Sequence, residues 1–460
     1  MTARECDVVV VGAGYAGLSA ALRLHDEGLD VLVLEARDRV AGRVLSEHRP
    51  TGPHGLVIDH GGQWVGPTQQ HLLELAERFG CTTFETVDEG RHVEVRPDGS
   101  TVDFDGIGPT EAPGAPAYDA LIEELEQLAR TVVVEAPWST PHAAWLDAQS
   151  VAQFGRARTD DPDALDRLAL FVQGIWCAEP DELSLLHAVF YMAAAGGYAQ
   201  LMDTHDCAQD SRFHLGADVT AKAIASLLGD RVLLRTEVTK VEALTLGALV
   251  TAGDTVVQAR RVVVALPPWA TSGLTVEPAL PAARVQWLQA ASMGRVAKVH
   301  AIYDTAFWRE AGLSGTSMHY ERGGTAGVVM DNSPEDVSVG VLVVFVYSDR
   351  LDRWRALHED ARRAAVLEDL ALAVGPEALH PIDYTEQRWT EEPFSRGGYE
   401  AFQRPGSWVA AGPEGWRTPV GPLHWAGTET SHVWNGYISG AIASGQRAAD
   451  EVVLALKTRV

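Results

Sequence analysis

An α/β fold that opens with a dinucleotide-binding unit is predicted by three adjoining features near the N-terminus. Val8 to Val11 is a run of four β-branched residues, suited to a strand buried on both faces. Gly12, Gly14 and Gly17 follow in the spacing G-x-G-x-x-G. A helix from Ala16 to Leu24, ending before Gly28, leads to a second apolar strand, Val31 to Leu34, which finishes on Glu35. Gly12 permits the tight turn, Gly14 lets backbone approach a pyrophosphate, and Gly17 lets helix pack on strand. The helix N-terminus, with Ala16 in its first turn, offers unpaired N–H groups to phosphates. Glu35 can accept hydrogen bonds from ribose hydroxyls, and its charge repels a 2′-phosphate. The unit is therefore Rossmann-like.

At 460 residues the chain is too long for one ordinary core, and two or three domains are expected. Apolar residues at 46% and charged residues at 22% are those of a globular protein. The formal net charge of −26 argues against nucleic acid and anionic membrane as partners, since both need a basic face. Cys6, Cys81, Cys177 and Cys207 are far apart and form no C-x-x-C pair, so neither a metal site nor a disulfide framework is expected. Arg4, Glu5 and Asp7 precede a strand rather than an apolar signal segment, and no run of about 18 apolar residues occurs. A cytoplasmic protein is the expectation.

Further along, Thr68 to Phe79 reads as a helix with Thr68 as N-cap and Gly80 past its end. Ala117 to Arg130 has helical spacing, and Gly106 to Pro116 reads as a surface loop. Asp181 to Met192 is predicted as a buried helix. Val232 to Leu234 and Val262 to Leu266 read as strands, the second stopped by Pro267 and Pro268, and Gly340 to Tyr347 as a buried strand. Helical patterns follow between Asp352 and Val374. Val296 to Ile302 alternates, which places Lys298 on one face of a strand. A second glycine-rich block, Ala426 to Gly445, lies at the far end, as in a cofactor domain interrupted by other segments.

Several motifs together resemble the flavin-dependent monoamine oxidase family, over nearly the whole chain. They are V-V-V-V-G-A-G-Y-A-G-L-S-A-A, V-L-E-A-R-D-R-V-A-G-R at Val33 to Arg43, and D-H-G-G-Q-W-V-G-P-T-Q at Asp59 to Gln69. F-V-Q-G-I-W-C-A-E-P at Phe171 to Pro180 and G-G-Y-A-Q-L-M-D-T-H-D-C-A-Q at Gly196 to Gln209 continue the match. M-G-R-V-A-K-V at Met293 to Val299, W-T-E-E-P-F-S-R-G-G-Y at Trp389 to Tyr399, and H-W-A-G-T-E-T-S-H-V-W-N-G-Y-I-S-G-A-I-A-S-G at His424 to Gly445 complete it. Ala41 stands where the family has one of a glycine pair, a change expected to cause only slight adjustment. Gly398 stands where some members carry a cysteine bonded to the flavin.

The resemblance implies a discontinuous FAD-binding domain of residues 1–81, 214–288 and 393–460. An α+β substrate domain of residues 82–213 and 289–392 would complete a fold like that of the monoamine oxidase and p-hydroxybenzoate hydroxylase-like flavoproteins. It implies FAD, bound non-covalently because Gly398 offers no thiol. Beyond the opening unit, FAD contacts are implied for Ala36, Arg37, Gly42, Arg43, Gly61, Gly62, Gln63, Trp64, Val238 and Trp389, and for Gly427, Thr428, Glu429, Gly436, Tyr437 and Ile438. Gly61 and Gly62 would let backbone pass close to the flavin ring, and Glu429 would bind the ribityl–pyrophosphate region. Lys298 would hold a water near flavin N5, and Tyr399 and Tyr437 would flank the amine. Ile175, Met202, Gln209 and Phe345 would face substrate. The implied reaction is oxidation of an amine to an imine, hydrolysed to aldehyde or ketone plus ammonia, with dioxygen reduced to hydrogen peroxide.

The apolar lining favours a compact, mostly hydrophobic amine, aromatic, alicyclic or aliphatic. A putrescine or polyamine oxidase would need a second carboxylate site, for which Asp203 and Asp206 are candidates. An L-amino acid oxidase would need an arginine, Arg212 or Arg396. A nicotine-like secondary amine is a further option. A non-catalytic binding protein akin to the GDP-dissociation inhibitors shares the nucleotide fold, but Lys298, the tyrosine pair and the C-terminal motif argue against it. Sequence leaves open the oligomeric state, a homodimer among the choices.

Overall fold

The computed structural model describes residues 4–52, 55–320 and 323–457. Its first sheet has eight strands. Val232–Leu233, Val31–Leu34, Arg4–Val11 and Thr255–Val264 run parallel from one edge inward, with Val9 between Leu32 and Val262. These strands are valine-rich because both faces are covered, and Val8, Val9 and Val10 are wholly buried. Thr255–Val264 is long enough to pair twice along one edge. Its first half takes Gly247–Ala252 antiparallel, and its last residues take Leu423–Trp425 parallel. The sheet thus draws on the beginning, middle and end of the chain. The helix Tyr15–Asp26 packs on it, and the last helix, Ile438–Lys457, lies against that helix.

A second sheet of seven strands is ordered Asp383–Arg388, Val296–Tyr303, Gly340–Tyr347, Val328–Asp331, Leu313–His319, Arg91–Val95, Thr101–Phe104. Every residue of Val296–Tyr303 is buried. Its odd positions, Ala297, Val299, Ala301 and Tyr303, join the aliphatic core under the helix Glu359–Val374. The even positions are left for the other face, where Lys298 stands across from Phe345. A helical layer with Ala115–Ala129, Pro162–Trp176 and Leu185–Ala195 shares an aromatic core with Trp287, Trp408 and Trp416.

Several expected boundaries shift. The helix after Pro67 is Gln70–Phe79 with Gln69 at its N-cap, and the Thr68 hydroxyl bonds Gln200 Oε1 at 3.2 Å instead of capping. Gly80 does close that helix, in the left-handed conformation. The helix expected from Asp181 starts at Leu185, because Ser184 is the residue that caps it, accepting from His187 N. The strand expected at Val262 to Leu266 runs Thr255–Val264, ending before the prolines. The helix expected from Ala117 begins at Ala115, with Pro116 in its first turn. The loop before it is not merely superficial, since Gly106 to Thr110 wall a cavity. No helix among the described residues is long and apolar enough to cross a membrane. The four cysteines are free.

Candidate active site

A single cavity of about 930 Å³ runs from the nucleotide turn of the first sheet to the even face of Val296–Tyr303 and on to the helical layer. Its inner end has the shape of an FAD cleft. A Cβ on Gly12 (φ 99°) would lie 2.7 Å from the Ala265 carbonyl oxygen, so the turn requires glycine. Gly14 is the N-cap of Tyr15–Asp26 and no side chain caps that helix, which leaves its first N–H groups for phosphate oxygens. Glu35 is held in place by Ala13 N on Oε2 (2.7 Å) and Arg37 N on Oε1 (2.8 Å). A cradle without side chains, a bare helix N-terminus and an oriented acid are what the dinucleotide needs. The residues present fit FAD.

Nearly all the residues picked out by sequence meet on this cavity's wall. Among the implied cofactor, catalytic and substrate positions the exceptions are Gly17 and Glu429. A Cβ on Gly17 would collide with the Gly12 carbonyl, so Gly17 serves helix-on-strand packing as read. Glu429 is 3% exposed and stands behind the wall. It accepts from Arg43 Nη1 (2.6 Å) and Nη2 (3.2 Å) and from Ala401 N (3.1 Å). Arg43 is the group that lines the cavity, and Glu429 fixes it. Gly61 also differs in its reason. A Cβ there would strike Arg43 O, so the neighbouring chain by itself already requires glycine. Ala41 adopts φ 73°, the left-handed conformation a glycine would take without strain, at a typical cost of about 1–2 kcal/mol.

Lys298 is 2% exposed. Its Nζ donates to Asp59 O (2.7 Å), Gly61 O (2.9 Å) and the Gln63 side-chain oxygen. It lies 5.3 Å from the centre of a Trp64 ring and 5.6 Å from that of Phe345. Burial lowers its pKa to about 7, with Arg212 adding to the effect and Asp59 opposing it. The three ammonium hydrogens match three protein acceptors, so a bound water competes with one of them.

Tyr399 meets Phe345 edge-on (6.0 Å, 89°), and its hydroxyl is 3.2 Å from that of Tyr347. Arg43 Nη1 anchors the Tyr399 carbonyl at 3.0 Å. Tyr437 packs edge-on against Trp434 (4.9 Å) and on Tyr191 (6.0 Å). Burial pushes both phenols up, so they stay neutral. Trp389 Nε1 donates to His60 O at 2.7 Å and buttresses the glycine turn. Gln209 Nε2 donates to Leu201 O at 3.1 Å, while its Oε1 has no donor among the described residues.

Other candidates fall away from the site. Arg212 is bound to Asn332 (2.8 and 2.9 Å) and Ser333, outside the cavity. Arg396 is exposed and lies over Trp269. The arginine on the outer wall is Arg167, already paired with both Glu94 oxygens at 2.8 and 3.0 Å. Asp203 lines the cavity beside Asp88, whereas Asp206 is exposed and does not. Tyr191, Tyr347, Tyr118, Tyr198 and Arg167 are wall residues that sequence reasoning missed. Only Tyr347 left a signal, being two residues from Phe345 on one strand and so on the same face.

Comparison with known proteins agrees with this geometry. The family model for flavin containing amine oxidoreductases matches residues 15–453. AofH of Mycobacterium tuberculosis, assigned by name to the flavin-containing monoamine oxidases, is 39% identical over 452 residues, covering 98% of this chain and 97% of that one. A solved putrescine oxidase bound to putrescine is 37% identical with a TM-score of 0.92, over 98% of this chain and 99% of the other. Cyclohexylamine oxidase from Brevibacterium oxydans is 33% identical with a TM-score of 0.93, over 98% and 99%. With a cleft that fits FAD and a match over almost its full length, the chain belongs to the flavin-containing amine oxidoreductase family and is an FAD-dependent amine oxidase.

Proposed function

We propose that the enzyme oxidises a compact, mostly apolar amine, held between Tyr399 and Tyr437. The observation that carries this is the company of the tyrosine pair. Phe345 and Tyr347 pack on Tyr399, and Tyr191 and Trp434 on Tyr437. Ile175 and Met202 share the same cavity wall. Such a lining binds a hydrocarbon group and desolvates an amine in its neutral free-base form. The π faces of the two tyrosines orient the nitrogen, and the free Gln209 Oε1 supplies an acceptor for an amine N–H. Lys298 sits in a desolvated place where its proton is held loosely. Arg43, fixed by Glu429, holds the Tyr399 wall by its carbonyl. FAD, when bound, supplies the two-electron acceptor for the amine α C–H and passes the electrons to dioxygen, giving hydrogen peroxide. In the same reading Lys298, Tyr399 and Tyr437 are the catalytic groups. Residues 1–81, 214–288 and 393–460 form the FAD-binding unit, and 82–213 and 289–392 the substrate unit. The free cysteines support action in the cytoplasm.

A second reading, a diamine, is favoured by Asp88 and Asp203 on the same wall and by the likeness to putrescine oxidase. A peroxide-coupled screen of monoamines, diamines and L-amino acids separates the two. A ring-bearing or branched monoamine should give the highest kcat/KM. A diamine that outpaces every monoamine would overturn the apolar-amine reading.

A further inference from the structure

Behind the two tyrosines lies a buried acid with no part in the site described so far. Glu400 follows Tyr399 in the chain and is 0% exposed. Its Oε1 is 3.3 Å from His187 Nε2, and its Oε2 has no partner among the described residues. Oε2 sits against Gly436, the residue before Tyr437. A Cβ built on Gly436 would lie 2.9 Å from that oxygen and would strike the Tyr191 hydroxyl. Tyr191 in turn packs on the Tyr437 ring. One carboxyl therefore spans the backs of both walls, joined to Tyr399 by the chain and to the Tyr437 segment by contact.

The neighbours fix its charge state. Trp408 Nε1 can only donate, and it lies 3.3 Å from His187 Nδ1. Nδ1 is thus an acceptor, Nε2 carries the ring hydrogen, and the imidazole is neutral. Burial agrees, holding His187 down at about 3. The cation nearby is Arg43, and Glu429 already neutralises it through two bonds. The other titratable neighbours, Tyr191, Tyr399, Tyr437 and Cys177, are neutral at ordinary pH. An ionised Glu400 would be a bare anion in a dry interior, which is costly.

We propose that Glu400 stands as a neutral carboxylic acid and is a positioning residue, its Oε2, unpartnered in the static structure, turning its hydrogen to the Tyr191 hydroxyl beside Gly436 and so fixing Tyr437 opposite Tyr399. This rests on the reading of the two tyrosines as walls of the amine site. Burial raises the Glu400 carboxyl well above the carboxylate range, the Glu429 charge adds to it, and Arg43 only partly opposes them. A side-chain amide can do the same work, with its oxygen accepting from His187 and its N–H donating to Tyr191. A thioether of similar length cannot donate.

Glu400→Gln and Glu400→Met, both as FAD-loaded enzyme, test the proposal with two readouts. The first is infrared absorption at neutral pH. The wild type should show the C=O stretch of a buried protonated carboxyl that both variants lack. The second is anaerobic flavin reduction by a good amine. Glu400→Gln should stay within about threefold of wild type, and Glu400→Met should slow roughly tenfold or more while keeping FAD, as expected of a misplaced wall. Three results overturn the proposal: no carboxyl band lost from Glu400→Gln, Glu400→Gln as slow as Glu400→Met, or Glu400→Met at the wild-type rate. Should no amine reduce the wild-type flavin, the amine-site reading fails, and the infrared comparison still decides whether Glu400 is protonated. Should Glu400→Met not fold, the infrared band and the Glu400→Gln rate decide together.

Discussion

Lys298→Met replaces a buried titratable group by one of similar length with no charge, and the structure sets the size of the effect. Burial carries the lysine from 10.5 to about 7. At about 1.36 kcal/mol per tenfold, that is a cost of about 5 kcal/mol for keeping the ammonium in the folded protein at low pH. The sign follows from proton counting. Between pH 7 and 10.5 the unfolded chain keeps the lysine proton and the folded chain has lost it. Stability therefore rises with pH, by about 1.4 kcal/mol per pH unit. The stability is fully present above the unfolded value and is lost as pH falls through the folded one. The methionine variant lacks this slope. It also leaves Asp59 O, Gly61 O and Gln63 Oε1 without their donor, and since the neutral amine above pH 7 has two N–H groups for those three acceptors, about 1–3 kcal/mol is lost there for each of two bonds. Over about two pH units above neutrality, wild type should gain about 3 kcal/mol on the variant. For cooperative unfolding of 460 residues that is a Tm gain of about 3 °C. Differential calorimetry of both proteins at saturating FAD, across that range, is the assay. Parallel Tm–pH curves would refute the reasoning, because they would mean the lysine does not release its proton there. Stopped-flow kinetics should show slower flavin reduction, slower reoxidation, or both. Wild-type rates in each half-reaction would place Lys298 outside the chemistry.

Tyr437→Ala and Tyr399→Ala should each retain FAD and lose roughly 100-fold in anaerobic flavin reduction, the usual consequence of a misplacement near 1 Å. The assignment fails if rate and apparent affinity are unchanged, or if either variant loses FAD altogether. Acid precipitation should leave all flavin in the supernatant, since Gly398 has no thiol; a yellow washed pellet would contradict this. Gly398→Cys should fold, because a Cβ there meets nothing nearer than Val296 Cγ1 at 3.5 Å. It should hold part of the flavin in the acid pellet, and complete release would show the thiol to be misdirected.

The dinucleotide unit was legible because it is local. Strand, turn, helix, strand and acid lie within one short stretch, and the glycines that collide with Ala265 or Gly12 carry their geometry in their identity. The outer wall was not legible. Tyr118, Tyr198, Tyr191 and Arg167 come from separate helices, and nothing in helical spacing says which aromatic residue faces a cavity and which a core. Charge pairing was equally hidden. Arg212 looked available as a carboxylate binder, but its bonds to Asn332 and Ser333 are made across the fold. The pairing of Glu429 with Arg43 was hidden as well, because the two are remote in sequence. Thr68 was read as a cap from type alone, and tertiary contact with Gln200 took its hydroxyl elsewhere.

The interleaving of the first sheet bears on how the enzyme is made. Arg4–Val11 has Thr255–Val264 as its neighbour, and that strand in turn needs Leu423–Trp425. The first helix is finished only by the last, where Gly445 lies so close to Ala16 that a Cβ would collide. A chain leaving the ribosome N-terminus first thus carries a four-valine run, Val8 to Val11, in a sheet that is not complete until Leu423–Trp425 has been made. Contacts of such long sequence separation fold slowly and expose sticky surface meanwhile. Because Ile438–Lys457 both backs the first helix and lends Ile438 and Ala441 to the cavity wall, a chain lacking it should fail to load FAD, which the flavin absorbance of the purified protein would show.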